Sequence, residues 1–175
     1  AALADFIGES GGRLDVLFNN AGIGVGGNFA QTSVEELDRC VDINLMGVVY
    51  GAHAGYHYLK ASGGCLLNTA SAAGIYGTMG VAIYSATKFA VRGFTEALDA
   101  EWHGEGIRVR ALLPSFIDTA ILDGTPVGSN ETMRDRVRAA QLEFTPVEQA
   151  AQAAWDAVHG DTLHTLVGKT ARRMW

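Results

Sequence analysis

Gly63-Gly-Cys-Leu-Leu-Asn-Thr-Ala-Ser71 is the stretch on which the fold turns. Gly63-Gly64 stops a helical pattern that runs back to Thr32 and Ser33, where Glu35 and Glu36 offer alternative capping boxes. Cys65-Leu-Leu-Asn68 then reads as a short buried strand. A glycine-bearing loop follows, and a second long helix is expected from Ala82 to His103, ending at Gly104 and Gly106. The same alternation continues outward. Upstream, Ala1 to Ile7 has helical composition with no start signal and stops at Gly8, Gly11 and Gly12, before Asp15-Val-Leu-Phe18, a strand expected to be buried on both faces. Downstream, Ile107 to Leu113 is a third strand closed by Pro114, and Ser115 to Ser129 is loop. Asn130 to Leu142 is a charged helix. Thr145-Pro-Val-Glu148 reads as a helix start, with Thr145 as N-cap and Pro146 at the first helical position. That helix ends at His159-Gly160, and Thr162 to Val167 forms a last short strand.

Strands alternating with long helices predict an α/β fold with a doubly wound parallel sheet, and place ligands outside the carboxyl ends of the strands. The 175 residues, 48% hydrophobic and 18% charged, suit one domain. The net charge of −6 argues against a nucleic-acid partner. Cys40 and Cys65 are too few and too isolated for a disulfide framework or a zinc site and read as small buried thiols. Without an apolar run of the ~20 residues a spanning helix needs, and without a signal-peptide pattern, the expectation is a soluble cytoplasmic protein with no membrane partner. Its 22 Gly against 3 Pro exceed what a plain helical bundle carries.

Two motifs are set aside on context. Gly22, Gly24 and Gly27 satisfy G-x-G-x-x-G after a strand, but the third glycine should open a helix, and Asn28-Phe-Ala-Gln31 intervenes before any cap. His53 and His57 have the i, i+4 spacing of a metal pair but no third ligand, so no metal site is expected.

A tyrosine four residues before a lysine places phenol and ammonium on one helix face, and the chain does this at Tyr56/Lys60 and Tyr84/Lys88. Only Tyr84 follows a strand end and loop carrying a serine, Ser71. A phenol with a pKa near ~10 is a poor base at neutrality. A lysine charge ~4 Å away contributes about 4 kcal/mol at an effective dielectric near 20, enough to lower that pKa by up to roughly three units before desolvation. A serine hydroxyl opposite could hold a carbonyl or alcohol oxygen while the tyrosine exchanges its proton.

Asn19-Asn20-Ala21-Gly22 after a strand, Asn44 in the next helix, Ser71, Tyr84-Ser-Ala-Thr-Lys88 and Pro114-Ser-Phe-Ile-Asp-Thr119, in this order, resemble the classical short-chain dehydrogenase/reductases. The resemblance runs from Gly12 to Thr119 and implies a Rossmann-like fold and an oxidoreductase that moves a hydride between NAD or NADP and a secondary alcohol, ketone or aldehyde. By it, Tyr84 is the general acid/base, Lys88 lowers its pKa and holds the nicotinamide ribose, Ser71 orients the substrate oxygen, and Asn44 helps hold a relay water. Asn20, Ala21 and Gly22 lie along the cofactor, Asn19 braces the strands, and Pro114, Ile117 and Thr119 border the nicotinamide. Homodimers or homotetramers built on the long helices are implied as well.

Two departures stand out. Ser115 occupies a position where the family has Gly, tolerable if the backbone there avoids positive φ. The family's opening strand, its T-G-x-x-x-G-x-G phosphate turn and its second strand have no counterpart, so residues 1–175 are expected to be a single partial domain that begins inside a helix. At ~30 residues per βαβ unit, roughly 70 to 90 N-terminal residues are unaccounted for. That leaves an alternative, a catalytically silent binding or assembly module. A Ser71 hydrolase is disfavoured because Thr69-Ala-Ser-Ala-Ala73 is not a G-x-S-x-G elbow. Substrate selection is expected in Ile75, Tyr76 and Met79 and in Ser115 to Glu143, with an apolar character.

Overall fold

The computed structural model describes residues 2–175. Its elements run α1 (Ala2–Glu9), β1 (Val16–Asn19), α2 (Val34–Val41), α3 (Gly47–Ser62), β2 (Cys65–Thr69), α4 (Ala82–Trp102), β3 (Arg108–Pro114), α5 (Met133–Ala139), α6 (Val147–His159), β4 (His164–Val167) and α7 (Lys169–Met174). The four strands form one parallel sheet in the order β1-β2-β3-β4. Alternate residues of β2 face opposite helical layers. Leu66 packs with Ala52 and Leu59 of α3 and Leu98 and Trp102 of α4, whereas Cys65 and Leu67 pack with Ala154, Ala157 and Val158 of α6. Helices on both faces explain the apolar run Cys65-Leu-Leu67 in this strand, and the fold is the Rossmann-like, doubly wound one expected.

β1 departs from the expectation of burial on both faces. It pairs with β2 alone among the described residues, which leaves Val16 and Phe18 41% and 40% exposed. The single helix expected up to Ala61 is instead α2 and α3 joined by a π-helical turn, Asp42–Met46, and Ser33 is its N-cap, closed reciprocally with Glu36. Thr145 does not cap α6. Its backbone pairs with the loop after β3, Thr145 N–H to Phe116 O and Asp118 N–H to Thr145 O, so α6 begins after Pro146 without a side-chain cap.

A buried amide chain ties the sheet to the long helices. Asn19 Nδ2 donates to Asn68 Oδ1 at 2.9 Å and to Val48 O at 3.3 Å, and Asn68 Nδ2 donates to Thr95 Oγ1 at 3.0 Å. Asn19 thus braces β1, β2 and α3. After β2, a short 3-10 turn, Ala72–Gly74, packs directly on α4. A Cβ at Gly74 would lie 2.6 Å from Lys88 O and 2.8 Å from Lys88 C, both backbone atoms. Gly74→Ala should therefore push α4 away at Lys88 and lower stability by about 2 kcal/mol, the middle of the range for overpacking. Denaturant unfolding measures this, and an unchanged midpoint would mean the turn can move freely off α4.

Candidate active site

The carboxyl ends of β1, β2 and β3 open onto a cavity of about 690 Å³, within the size range of small-molecule sites. Ser71 sits where β2 ends. Its Oγ accepts from Ala73 N–H at 3.1 Å, capping the 3-10 turn, and donates to Pro114 O at 3.4 Å, so the hydroxyl is held between two strand ends. Tyr84 and Lys88 project from the first turns of α4, and Ser71, Tyr84 and Lys88 all line the cavity. Lys88 is 4% exposed and donates from Nζ to Thr69 O at 2.9 Å, its one acceptor among the described residues. Two of its donors are left for whatever occupies the cavity.

Burial dominates the electrostatics of the pair. Burial pushes the Tyr84 phenol up from its ordinary value, with the Ser71 hydroxyl pulling the other way. Lys88 Nζ lies 5.7 Å from the Tyr84 ring centroid and is itself lowered by burial to about 8. Withdrawal from water is the largest influence on the phenol in this structure. At neutral pH the site holds a protonated phenol beside a charged lysine.

Asn44 lies in the π-helical turn, fully buried. Its Oδ1 accepts from Ile23 N–H at 2.8 Å, and its Nδ2 donates to Ile23 O at 2.9 Å and to Thr87 Oγ1 at 3.5 Å. The extra residue of the turn aims this side chain at the chain after β1, where a Cβ on Gly22 would sit 3.3 Å from Asn44 Oδ1 and 3.6 Å from Lys88 Nζ. The side chain is a brace first, with one lone pair of Oδ1 uncommitted.

Of the residues expected along a cofactor, Asn20, Gly22, Pro114, Ile117 and Thr119 line the cavity, whereas Ala21 is exposed and does not. Asn20 Oδ1 accepts from Thr69 Oγ1 at 2.8 Å. The glycine motif is occupied by the protein itself. Gly27, at φ +118°, forms a bridge with Val127, Asn28 N–H donates to Val127 O, and Val127 N–H donates to Gly26 O. A Cβ at Gly27 would meet the Val127 backbone at 2.2 Å. Only a single 3-10 turn, Phe29–Gln31 capped by Asn28, opens there. Tyr56, the other tyrosine before a lysine, donates to Glu105 Oε2 at 2.5 Å and packs on Trp102, a brace between α3 and the end of α4. His53 and His57 are exposed, and no metal-sized group of His, Cys, Asp or Glu occurs among the described residues.

Of the residues expected to select substrate, Met79 lines the cavity, but Ile75 packs into the core and Tyr76 is 69% exposed. Sequence reasoning missed α7, which brings Thr170 and Met174 to the wall. A latch holds it there. Glu143 accepts from Thr170 N–H at 2.7 Å, from Thr170 Oγ1 at 3.3 Å and from Ser115 Oγ at 3.3 Å. Burial works to raise the Glu143 carboxyl, but these donors and the Lys169 N–H outweigh it and hold it below its ordinary value. Ser115 avoids positive φ, so its side chain costs no backbone strain. Gly168 after β4, at φ +91°, leaves the room, since a Cβ there would meet Ser115 Oγ at 2.1 Å.

A family model described as short chain dehydrogenase matches residues 1–127. The chain is 34% identical over 170 residues to the meso-2,3-butanediol dehydrogenase of Serratia marcescens, covering 94% of this chain and 68% of that protein. It is 35% identical over 142 residues to a 3-oxoacyl-[acyl-carrier-protein] reductase of Thermotoga maritima, covering 81% of this chain and 57% of that one. A short-chain dehydrogenase/reductase from Burkholderia phymatum, solved with NAD, superposes with a TM-score of 0.81 at 26% identity over 94% of this chain and 65% of its own. One from Sphingobium yanoikuyae, solved with NADPH, gives 0.74 at 28% identity over 87% and 57%. The chain thus spans between 57% and 68% of the length of these proteins.

Proposed function

This chain belongs to the short-chain dehydrogenase family, and on that footing we propose that it carries the proton-transfer and substrate-binding part of an oxidoreductase that interconverts a secondary alcohol and a ketone or aldehyde. The observation that carries the reading is the placement of Ser71 opposite Tyr84, with the buried Lys88 ammonium beside them, on one cavity wall at the carboxyl ends of the strands. NAD or NADP, when bound, supplies or accepts the hydride.

In reduction, Ser71 donates a hydrogen bond to the substrate carbonyl oxygen, and Tyr84 gives its phenolic proton to that oxygen as the carbonyl carbon becomes the alcohol carbon. In oxidation Tyr84 takes the proton back from the alcohol. Lys88 faces the phenolate formed in between, and its charge offsets that anion. The uncommitted Nζ–H donors of Lys88, buried and without a second acceptor among the described residues, suit the hydroxyls of a nicotinamide ribose. Asn20, Gly22, Pro114, Ile117 and Thr119 would border the nicotinamide end. Asn44 keeps Ile23 and Gly22 against this wall, and its remaining lone pair is what could hold a relay water. We read the assembly as a cytoplasmic homodimer or homotetramer packed through the long helices, a reading supported by exposed Tyr50 on α3 and Phe89 on α4. No helix among the described residues is long and apolar enough to cross a membrane.

Gly26 and Gly27 are paired with the Val127 segment, so this glycine motif offers no phosphate loop, and a second reading for residues 1–175 by themselves is a module that binds no cofactor tightly and is catalytically silent. Two measurements decide. In the full chain, a panel of secondary alcohols and ketones should give turnover visible as a change in reduced-nicotinamide absorbance. Binding of NAD or NADP without turnover of any of them would overturn the oxidoreductase reading. Calorimetry on residues 1–175 should find weak cofactor binding or none, and a tight complex would contradict the second reading.

A further inference from the structure

The α5 sequence Met-Arg-Asp-Arg-Val-Arg-Ala carries three arginines, and the chain treats them differently. Arg134 is held by Asp118 and Asp123 and donates to Thr119 O at 3.0 Å. Arg138 pairs with Asp135 at 3.3 Å. Arg136 has no carboxylate or carbonyl acceptor for its side chain among the described residues. It is half-buried and lines the cavity beside Met133, one turn back on the same helix face. The Thr132–Asp135 capping box fixes the start of the helix, and the neighbouring Val137 is 2% exposed.

The rest of the wall sharpens the point. In a chain with 19 acidic residues against 13 basic ones, the cavity is lined by no Asp, Glu or His. Its ionisable groups are Tyr84, Lys88 and Arg136, set among apolar side chains such as Val81, Leu122, Met133, Val147 and Met174. Lys88 gives one donor to Thr69 O, and in the reading above its other two face the phenolate and the cofactor ribose. Arg136 is left as a planar fork of unmatched donors in a mostly apolar site, where an ion pair is screened less than at an open surface.

We infer that Arg136 is a specificity-determining residue that receives an anionic group, and that the substrate is an oxo or hydroxy acid: a carbonyl or secondary alcohol carried by an apolar body and ending in a carboxylate. The inference rests on the function proposed above. The same chemistry could come from a phosphate of the cofactor, and the test separates the two sources.

In the full chain, kcat/KM is measured for oxo acids of increasing chain length and for their methyl esters. The wild type should prefer the acid at one or more lengths, chiefly through KM. Arg136→Met should lower the acid-over-ester ratio by about 30-fold, the size of a charge-assisted hydrogen-bond pair, and Arg136→Lys by less, because it keeps the charge without the fork. Ester turnover in each variant reports that it is folded. An acid-over-ester ratio of one in the wild type, or a ratio that Arg136→Met leaves unchanged, overturns the inference while the oxidoreductase reading stands. Absence of turnover with acids and esters alike sinks that reading instead. Dissociation constants for NAD and NADP should be equal in wild type and Arg136→Met. A cofactor affinity that falls in step with the lost discrimination assigns the anion to the cofactor and overturns the substrate assignment.

Discussion

Tyr84→Phe in the full chain should cut kcat by about a thousandfold, the middle of the range for a positioned general acid, and leave the dissociation constant of the cofactor within a few fold. The phenol on the cavity wall bonds to Ser71, and phenylalanine keeps the ring at the start of α4 without its hydroxyl. Since burial pushes the phenol up, it remains protonated through neutrality, so the reduction rate of the wild type should not be limited by Tyr84 in that range. Stopped-flow or steady-state reduction of a good ketone substrate, with calorimetric cofactor binding alongside, separates chemistry from binding. Turnover within tenfold of the wild type would falsify the role given to Tyr84.

The second large effect has opposite signs for stability and for activity. Lys88 is buried and lowered from 10.5 to about 8, so keeping it charged at pH 7 costs the fold about 3 kcal/mol at 1.36 kcal/mol per unit. Part of that is returned, because Lys88→Met leaves Thr69 O without its donor. The variant should be more stable than the wild type by about 2 kcal/mol at pH 7 and should lose most of its turnover, since nothing then faces the Tyr84 phenolate. The pH dependence follows from the same shift. Below about 8 the lysine is charged in both folded and unfolded states and its cost is fully present. Between about 8 and 10.5 the unfolded chain binds the proton and the folded chain does not, so the wild type gains stability as pH rises and the gap to Lys88→Met closes. Denaturant unfolding of both proteins at pH 7 and at pH values approaching 10.5 measures the closing gap. A Lys88→Met variant that is less stable at pH 7 would show that the ammonium is better solvated than its burial implies. In the wild type, carbonyl reduction should decline as pH rises through about 8, because the charge opposite the phenolate is then lost.

Much of this arrangement was legible from short-range pattern. The first three residues of β2 are apolar and buried because helices cover both its faces, so a run of Cys65-Leu-Leu needed no tertiary knowledge to be read as an interior strand. The preference for Tyr84 over Tyr56 also came from local order, since only one pair follows a strand end with a serine on it, and Tyr56 proves to be committed to Glu105. The discounting of Gly22-x-Gly24-x-x-Gly27 rested on the missing helix start, and the loop is indeed taken up by the Val127 segment. Other features had no local signal. Thr145-Pro-Val-Glu148 has every residue of a capped helix start, yet the Thr145 backbone finds a better partner in Phe116 and Asp118, nearly thirty residues away. The π-helical turn at Asp42–Met46 leaves the hydrophobic period almost untouched and is driven by the fit of Asn44 to Ile23.

The amino-acid sequence by itself determined the class of fold, the order of strands and helices, and the candidacy of Ser71, Tyr84 and Lys88, because periodicity, glycine stops and i, i+4 spacing are local properties of the chain, while Asn44 entered only through the family resemblance. Only the tertiary structure decided the electrostatic state of the site. Whether a phenol rises or falls depends on how much water the surrounding walls remove and how far the nearest charge is held. Those quantities are set by residues from β1, β2, β3, α4, α5 and α7 meeting at one cavity. The unpaired state of Arg136 is of the same kind, since it emerges only when Asp118 and Asp123 are seen to engage Arg134 and Asp135 to engage Arg138.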